Sequence, residues 1–336
     1  MAVLGLGLGC AQWVPLLRLV RHNFRQGGTS FRQVLGWAYP LRRIISLFVP
    51  DFFGNPAHHS YYDLFSGRIV PATTNALGEP IHSIYWGMKN YVEGASYVGV
   101  LPALLALVAV LRRRGRPVLF WALLGTLSLL FAFGCPLYII VYKLPGLSQV
   151  HSPFRWIYAY SLSVAVMAGM GVDALWRRSA GESNQRRWQS ALDRLARCLP
   201  PRIVLLAGLA CLIGLAASLL LKERVAALAG RLMPHLSKAP QAFGDGRMFY
   251  SYEFRNLLVF AVALTLSGLV LAARRHFRRA GVWGALAALV VVGELFVIGK
   301  PFFPAVDPKL VGYRTPAIDF LLQDRDLFRI TSYIGG

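Results

Sequence analysis

Residues 257–299 read LLVFAVALTLSGLVLAARRHFRRAGVWGALAALVVVGELFVIG and decide the fold class of this chain. Two apolar stretches, 257–273 and 281–299, flank a short connection that is rich in arginine. Each stretch is close to the roughly 20 apolar residues that an α-helix needs to cross a bilayer. Basic residues that close apolar runs in this way are typical of membrane proteins. The pattern predicts two membrane-spanning helices joined on one side of the membrane.

Further apolar stretches of similar length occur along the chain. Of the 336 residues, 56% are hydrophobic and 15% are charged, whereas about a quarter of the residues of a soluble domain are charged. We therefore expect an all-α polytopic transmembrane bundle of about seven spans, at residues 2–20, 94–111, 117–137, 154–176, 203–221, 257–273 and 281–299.

The spans define the expected domain organisation. Residues 1–299 form a transmembrane domain with a large outer loop at 21–93, and residues 300–336 begin an extracytoplasmic C-terminal region. Because the chain opens on an apolar run and closes just after what reads as the start of a folded domain, we expect it to be a piece of a longer protein.

The formal charge of +21 raises the question of a nucleic-acid partner. The basic residues close apolar runs and form no surface stripe, so the sequence does not predict a nucleic-acid-binding protein. Lys and Arg near span ends are retained in the cytoplasm. The basic connections at 112–116, 177–202 and 274–279 are thus expected inside, which predicts a multi-pass protein of the bacterial cell (plasma) membrane with a cytoplasmic N-terminus.

Three carboxylates are candidates for chemistry on the outer side. Asp51 and Glu93 lie in aromatic-rich segments, where a carboxylate could remove a proton from an acceptor hydroxyl or hold a divalent cation. Glu294 lies near the outer end of the last span, where a buried charge costs about 2.5 to 3.5 kcal/mol on insertion scales. We expect Glu294 to pair with an arginine such as Arg155 or Arg255, with direct substrate binding as the alternative.

Basic side chains of the outer segments are candidates for binding a lipid phosphate or pyrophosphate. The alternative is that they only anchor helices at the membrane surface. These residues are Arg42, Arg43, Lys143, His151 and Arg155. The first two stand in PLRRIISLFVPDFFG (residues 40–54), which predicts either a short amphipathic helix in the interface or a packed loop.

Metal binding is a minor alternative. His58, His59 and His82 could form a site with Asp63, but adjacent histidines do not place both rings on one metal in a regular element. The four cysteines include no CxxC pair, and the chain contains no Walker A, HExxH or GxSxG motif. We therefore assign no metal ligand and no soluble-type reaction from motifs.

Several ordered segments resemble a known family. They are AQWVPLLRLV (11–20), SLFVPDFFGNP (46–56), NYVEGASYVGVLPALLAL (90–107), LLFAFGCPLYIIVYKLPGLSQVHSPFRW (129–156), VGELFVIGKPFFP (292–304) and YRTPAIDFLLQDRDLFRI (313–330). In this order they resemble the bacterial membrane protein family called YfhO, which is placed near the GT-C glycosyltransferases. The resemblance covers nearly the whole chain.

The resemblance implies a transferase that moves a sugar from a polyprenyl-phosphate carrier to an extracytoplasmic cell-envelope glycan or polymer. In such enzymes the catalytic acid lies in the first outer loop of the full protein, before the region that this chain contains, and the acid in the last span is Asp where this chain has Glu294. Two alternatives stay open: a transporter or flippase of lipid-linked intermediates, and a non-catalytic scaffold of an envelope-assembly complex.

Overall fold

The computed structural model describes residues 2–22, 29–112, 115–144, 152–176, 201–302, 307–310 and 312–323. The chain divides into two units, Met1–Ile298 and Gly299–Gly336. The second unit contains one short helix and two single 3-10 turns in its described part, with an Arg314–Asp319 ion pair of 3.6 Å beside the helix. All sites discussed below lie in the first unit.

The described residues are mainly helical, as predicted. The α-helices are α1 (Ala2–His22), α2 (Phe31–Gly36), α3 (Val100–Arg112), α4 (Arg116–Ala132), α5 (Ile139–Tyr142), α6 (Ile157–Trp176), α7 (Pro201–Leu220), α8 (Lys222–Leu232), α9 (Ala239–Ala242), α10 (Gly246–Ala273), α11 (Ala280–Gly299) and α12 (Pro316–Gln323). The strands are β1 (Gly54–Asn55), β2 (Ser60–Asp63), β3 (Arg68–Pro71) and β4 (Ile84–Tyr85). They form two antiparallel pairs, β1 with β4 and β2 with β3.

Within the described ranges, four helical segments are long and apolar enough to cross a membrane. They are Pro153–Trp176, Pro201–Leu220, Gly246–His276 and Ala280–Phe302. A fifth is reached if α4 and the bent segment Pro136–Tyr142 are counted as one span. This supports a helical membrane protein with four or five candidate spans. The 21-residue helix α1 is not among these segments.

Two of the predicted spans differ from the structure. The helix expected over 94–111 begins only at Val100, because Gly99 has a positive φ of 90° and the preceding residues are not helical. The span expected over 117–137 ends at Ala132. Gly134, with φ 74°, turns the chain, and the following helix lies at 99° to α4.

Close helix packing depends on glycines in α7 and α10. A Cβ atom at Gly208 would lie 2.5 Å from Thr265 Oγ1, and one at Gly268 would lie 2.6 Å from the Cα atom of Leu205. The two backbones therefore approach closely at both points, as small residues allow in membrane helices.

Residues 29–99 fold as a compact layer over one end of the helices. Phe53, Ile84 and Trp86 of this layer are buried against Phe243 and Tyr252. We call this end of the helices the loop side. In the segment predicted as an interfacial helix or packed loop, Leu41–Leu47 forms a 3-10 helix. The exposed residues of the whole segment 40–54 are apolar, namely Leu41, Ile44 and Phe48, while Arg43 and Ser46 are buried.

The basic connection between α10 and α11 lies at the opposite end. Arg274 donates to the carbonyl of Leu175 at 2.9 Å, and its guanidinium lies 3.7 Å from the ring centroid of Trp176. The end of α6 and the start of the α10–α11 connection therefore meet. Arg177, Arg178 and the rest of the predicted basic connection up to residue 200 lie outside the described residues.

Candidate functional site

Asp51 links the loop layer to α10. Its Oδ1 accepts hydrogen bonds from the Tyr91 hydroxyl and from Asn55 Nδ2, the latter at 3.1 Å. Its backbone carbonyl accepts from Asn256 Nδ2 at 2.9 Å. Burial raises the pKa of the Asp51 carboxyl, and the hydrogen bonds from Tyr91 and Asn55 act in the opposite direction. Oδ2 forms no hydrogen bond with any residue that the structure describes.

Glu253 is a second carboxylate that the sequence analysis missed. It is buried on α10, and its Oε2 accepts from Asn256 Nδ2 at 3.3 Å. Oε1 is buried without a partner among the described residues. Asn256 thus binds the Glu253 side chain and the Asp51 backbone at once. A tyrosine-rich helical turn such as YSYEFRN gives no apolar period that would mark this glutamate as buried.

A small cleft opens beside Asp51, between the loop layer and the helices. Its walls include Val49, Pro50, Asp51, Arg255 and Asn256. Arg255 is exposed and forms no hydrogen bond or ion pair with another described residue. The cleft therefore combines a buried carboxyl group with an exposed guanidinium, whose charge acts to lower the pKa of Asp51.

Arg43 lies buried against aromatic rings, with 4% of its surface exposed. Its guanidinium lies 5.2 Å from the ring centroid of Tyr39 and 6.0 Å from that of Phe53, and its Nη1 donates to the Tyr85 hydroxyl at 3.3 Å. Its Nε and the Tyr39 hydroxyl are buried without partners among the described residues. Ring faces stabilise a cation electrostatically, so Arg43 does not extend to water as a surface anchor would.

Arg42 is half-buried and lies near the same ring. Its guanidinium is 5.7 Å from the Phe53 ring centroid, and its Nη2 is buried without a partner in the described part of the chain. The two adjacent arginines therefore both contact the aromatic loop layer.

Glu93 and Arg155 form an exposed ion pair. Arg155 Nη2 lies 3.3 Å from Glu93 Oε1, and the two side chains are 57% and 42% exposed. Arg155 also lines a cavity of about 290 Å³ whose walls include Tyr138, Trp156 and Tyr158. Aromatic side chains next to a carboxylate and a guanidinium present both apolar and polar contacts to a ligand.

Two further predicted residues stand near this cavity in sequence. Lys143 is exposed at the end of α5. His151 lies outside the described residues.

Glu294 does not form the ion pair expected from the sequence. Its Oε1 accepts from the Tyr97 hydroxyl and from the backbone N–H of Val100, the latter at 3.0 Å. Val100 is the first residue of α3, so this carboxylate satisfies a free N–H at a helix N-terminus, where negative charge is stabilising. Its acceptor atom is thus directed toward the start of α3 and not toward Arg155 or Arg255.

His58 and His59 have separate partners. His58 Nδ1 lies 2.9 Å from the Tyr252 hydroxyl, and His59 Nδ1 lies 3.1 Å from the carbonyl of His82. Burial, together with the charge of Arg255 and His59, lowers the pKa of His58 to about 4. The part of the chain that the structure describes contains no group of three or more His, Cys, Asp or Glu side chains placed to hold a metal ion.

Contacts connect Asp51 and Arg43 of the loop layer through Tyr91 and Tyr85, and these four side chains are buried or half-buried. Asp51 contacts Tyr91, whose ring centroid lies 5.8 Å from that of Tyr85, and Tyr85 contacts Arg43. We call this row the polar belt and define it, from the cleft to the aromatic cavity, as Asp51, Tyr91, Tyr85, Arg43, Tyr39, Glu93 and Arg155. Glu93 adjoins Gly94, where an added Cβ atom would lie 3.2 Å from Arg43 Nη2 and from the Tyr39 hydroxyl oxygen.

Comparison of the chain with models of protein families, with curated proteins and with solved structures gave no match.

Proposed function

We propose that this chain belongs to a GT-C-like glycosyltransferase of the bacterial cell membrane, as its resemblance to the YfhO family implies. In this proposal the protein has about seven spans, with a cytoplasmic N-terminus and an extracytoplasmic loop side. It moves a sugar from a polyprenyl-phosphate carrier to a cell-envelope glycan or polymer. Its partners are membrane lipids, the lipid-linked sugar and the glycan acceptor.

The polar belt is the observation that carries the proposal. It connects two carboxylates, Asp51 and Glu93, with two arginines, Arg43 and Arg155. Glu93 and Arg155 are exposed and Asp51 lines the cleft, whereas Arg43 is buried. Transfer from a phosphate carrier needs a base for the acceptor hydroxyl and positive charge for the departing phosphate. The apolar helices below the belt would hold the carrier in the membrane.

Asp51 is the better placed of the two carboxylates to act as the base. Its Oδ1 is held by Tyr91 and Asn55, which fixes the carboxyl group and leaves Oδ2 for a substrate proton. Burial raises its pKa and so makes its carboxylate a stronger base. The acceptor oxygen would attack the anomeric carbon as Asp51 takes its proton. The bond from that carbon to the phosphate oxygen breaks, and polyprenyl phosphate leaves with the bonding electrons.

The test is transfer of labelled sugar from a polyprenyl-phosphate donor to cell-envelope acceptor by the chain in lipid nanodiscs. Asp51→Asn keeps an acceptor oxygen for Tyr91 and Asn55 but cannot take a proton. Loss of a general base typically costs about 10²- to 10⁴-fold in rate, and we expect a loss of that size. Glu93→Gln should cost less, because Glu93 is exposed and paired with Arg155.

Glu223→Gln provides the matched control, because Glu223 also forms an exposed ion pair, 3.0 Å from Arg247, outside the belt. It should transfer sugar at the unmodified rate. Equal activity of Asp51→Asn and the control, in protein that unfolds at the same temperature, would exclude Asp51 as the base.

A transporter of lipid-linked intermediates is the second candidate. The 99° bend after α4 favours it, since transporters use discontinuous helices. The bend follows the 17 residues of α4, or about 25 Å of helix, which places it near a membrane surface and away from the midplane. Movement of fluorescent lipid-linked sugar across vesicles containing the chain, without sugar transfer, would favour this candidate. A chain with neither activity would support the scaffold alternative.

A further inference from the structure

Arginines cluster at the end of the helices opposite the loop side. Leu205, near the start of α7, lies against Gly268 of α10, so α7 begins at this end. α3 begins on the loop side, where Glu294 accepts from the backbone of Val100, and therefore ends here. Within the described part of the first unit, Asp173 is the one acidic residue near these helix ends. The arginines are Arg112, Arg116, Arg202, Arg274, Arg275, Arg278 and Arg279.

The connection between α10 and α11 is held by two anchors. Arg274 stacks on the Trp176 ring and donates to the carbonyl of Leu175. Phe277, three residues further on, packs against the apolar core around Trp283. The backbone of the connection is therefore fixed at two points, one on α6 and one in the core between the helices.

The basic side chains beside these anchors are exposed. Arg275, Arg278 and Arg279 form no side-chain hydrogen bond or ion pair with another described residue. Their guanidinium groups are thus available to an anion. A fixed backbone reduces the conformational entropy that such a group of cations loses on binding.

The position of these arginines favours a phospholipid as the anion. Arg279 directly precedes α11, and Val282 of α11 and Leu269 of α10 are exposed apolar residues near the same end. An anion bound by the connection therefore has uncovered apolar side chains close to it. This arrangement is complementary to a phosphate headgroup with its acyl chains, whereas a free phosphate ion would use the guanidinium groups alone. Polybasic segments at a membrane surface attract anionic lipids.

We propose that the connection between α10 and α11 is a binding site for the headgroup of an anionic phospholipid, with Arg275, Arg278 and Arg279 donating to its phosphate. A guanidinium group binds phosphate oxygens bidentately. The site does not rest on the proposed function, which uses the loop side. Because Arg274 joins the same connection to the end of α6, a bound headgroup stabilises the contact between three helix ends.

Thermal unfolding of the purified chain in neutral detergent, titrated with phosphatidylglycerol, tests the proposal. A ligand that binds only the folded chain raises the unfolding temperature. Phosphatidylcholine, which has no net charge, should need at least about tenfold more lipid for the same shift. An equal effect of the two lipids would overturn the proposal. Inorganic phosphate at the concentration of the lipid should not displace phosphatidylglycerol, and displacement would show a phosphate site without a lipid.

Two triple variants with the same loss of charge locate the site. Replacing the three arginines of the connection with glutamine should raise the phosphatidylglycerol concentration for half of the shift at least about tenfold. The control replaces three exposed arginines of the loop side and should change that concentration less than about twofold. Equal changes would overturn the proposal in favour of attraction by total charge. The site variant is Arg275→Gln, Arg278→Gln, Arg279→Gln, and the control is Arg68→Gln, Arg224→Gln, Arg231→Gln.

Phe277→Ala tests the fixed backbone without changing any charge. It removes the anchor in the apolar core and should raise the phosphatidylglycerol concentration for half of the shift several-fold. The shift is measured from the unfolding temperature of the lipid-free variant, so a less stable variant still reports binding. Unchanged lipid binding by Phe277→Ala would contradict a built site and leave only diffuse attraction between charges.

Discussion

At the scale of single residues, tyrosine hydroxyl groups hold the loop-side carboxylates in place. Tyr91 donates to Asp51 and Tyr97 donates to Glu294. Burying a polar group without a hydrogen-bond partner costs roughly 2 to 7 kcal/mol of solvation free energy. The two carboxylates would incur a cost of several kcal/mol without these hydroxyl donors. Aromatic residues therefore do more here than mark a membrane surface. They supply the donors that keep two acids buried near the helix ends.

At the residue scale, the titration of His58 also makes the stability of the folded chain depend on pH. Burial gives this side chain a pKa of about 4 against an ordinary value of 6.5. Between these values the unfolded chain binds a proton that the folded chain excludes. Stability contributed by neutral His58 is therefore complete above the unfolded pKa and decreases as the pH falls toward the folded pKa. We expect a loss of about 1 to 2 kcal/mol at a pH near 5.

Thermal unfolding in detergent at neutral pH and near pH 5 measures this loss. His58→Gln should remove much of the pH dependence, because glutamine does not titrate. His235→Gln, which removes an exposed histidine of the 3-10 turn after α8, should leave it unchanged. A pH dependence that is the same in His58→Gln and the unmodified chain would contradict the assignment.

At the scale of elements, the apolar runs predicted helices well where hydrophobicity alone decides the structure. The runs at 203–221 and 281–299 correspond to α7 and α11 within two residues at each end. The apolar run at 257–273 covers only part of α10, which begins at Gly246. Its first turns contain Tyr252, Glu253 and Asn256, whose burial depends on the loop layer, so no hydropathy pattern could reveal them.

Backbone conformation explains the two predicted spans that differ from the structure. The runs at 94–111 and 117–137 are apolar throughout, yet positive φ at Gly99 and Gly134 interrupts both. A glycine in an apolar run is compatible with either a helix or a turn. Tertiary contacts decide between them, as at Gly134, where a Cβ atom would lie 2.7 Å from the Cβ atom of Ala38.

Packing of α7 against α10 gives a second prediction. In Gly208→Ala the new methyl group would lie 2.5 Å from Thr265 Oγ1, so the helices must move apart. Overpacking of this kind typically costs about 1 to 3 kcal/mol, and we expect a loss of stability in that range. Gly214→Ala, on the same helix with no atom within 4 Å of the new Cβ atom, should be neutral or slightly stabilising. Equal thermal stability of the two variants would contradict the close α7–α10 contact.

At the scale of the whole molecule, the sequence predicted the class of protein but not how its site is assembled. Asp51, Arg43, Glu93 and Arg155 were all candidates from their place in the predicted outer segments. Their connection through Tyr39, Tyr85 and Tyr91 depends on contacts between distant parts of the chain, which one sequence does not specify.

The proposed function requires the loop side, with its polar belt, to face out of the cell. The most direct test labels single cysteines in whole cells with a membrane-impermeant maleimide, in a variant whose natural cysteines are replaced by serine. Ser60, in β2, and His276, in the basic connection after α10, are exposed and lie at opposite ends of the helices.

We predict that Ser60→Cys reacts in intact cells and that His276→Cys reacts only after the membrane is permeabilised. The reverse pattern would contradict the proposed orientation, and reaction of both cysteines in intact cells would contradict a bilayer between the two ends of the molecule.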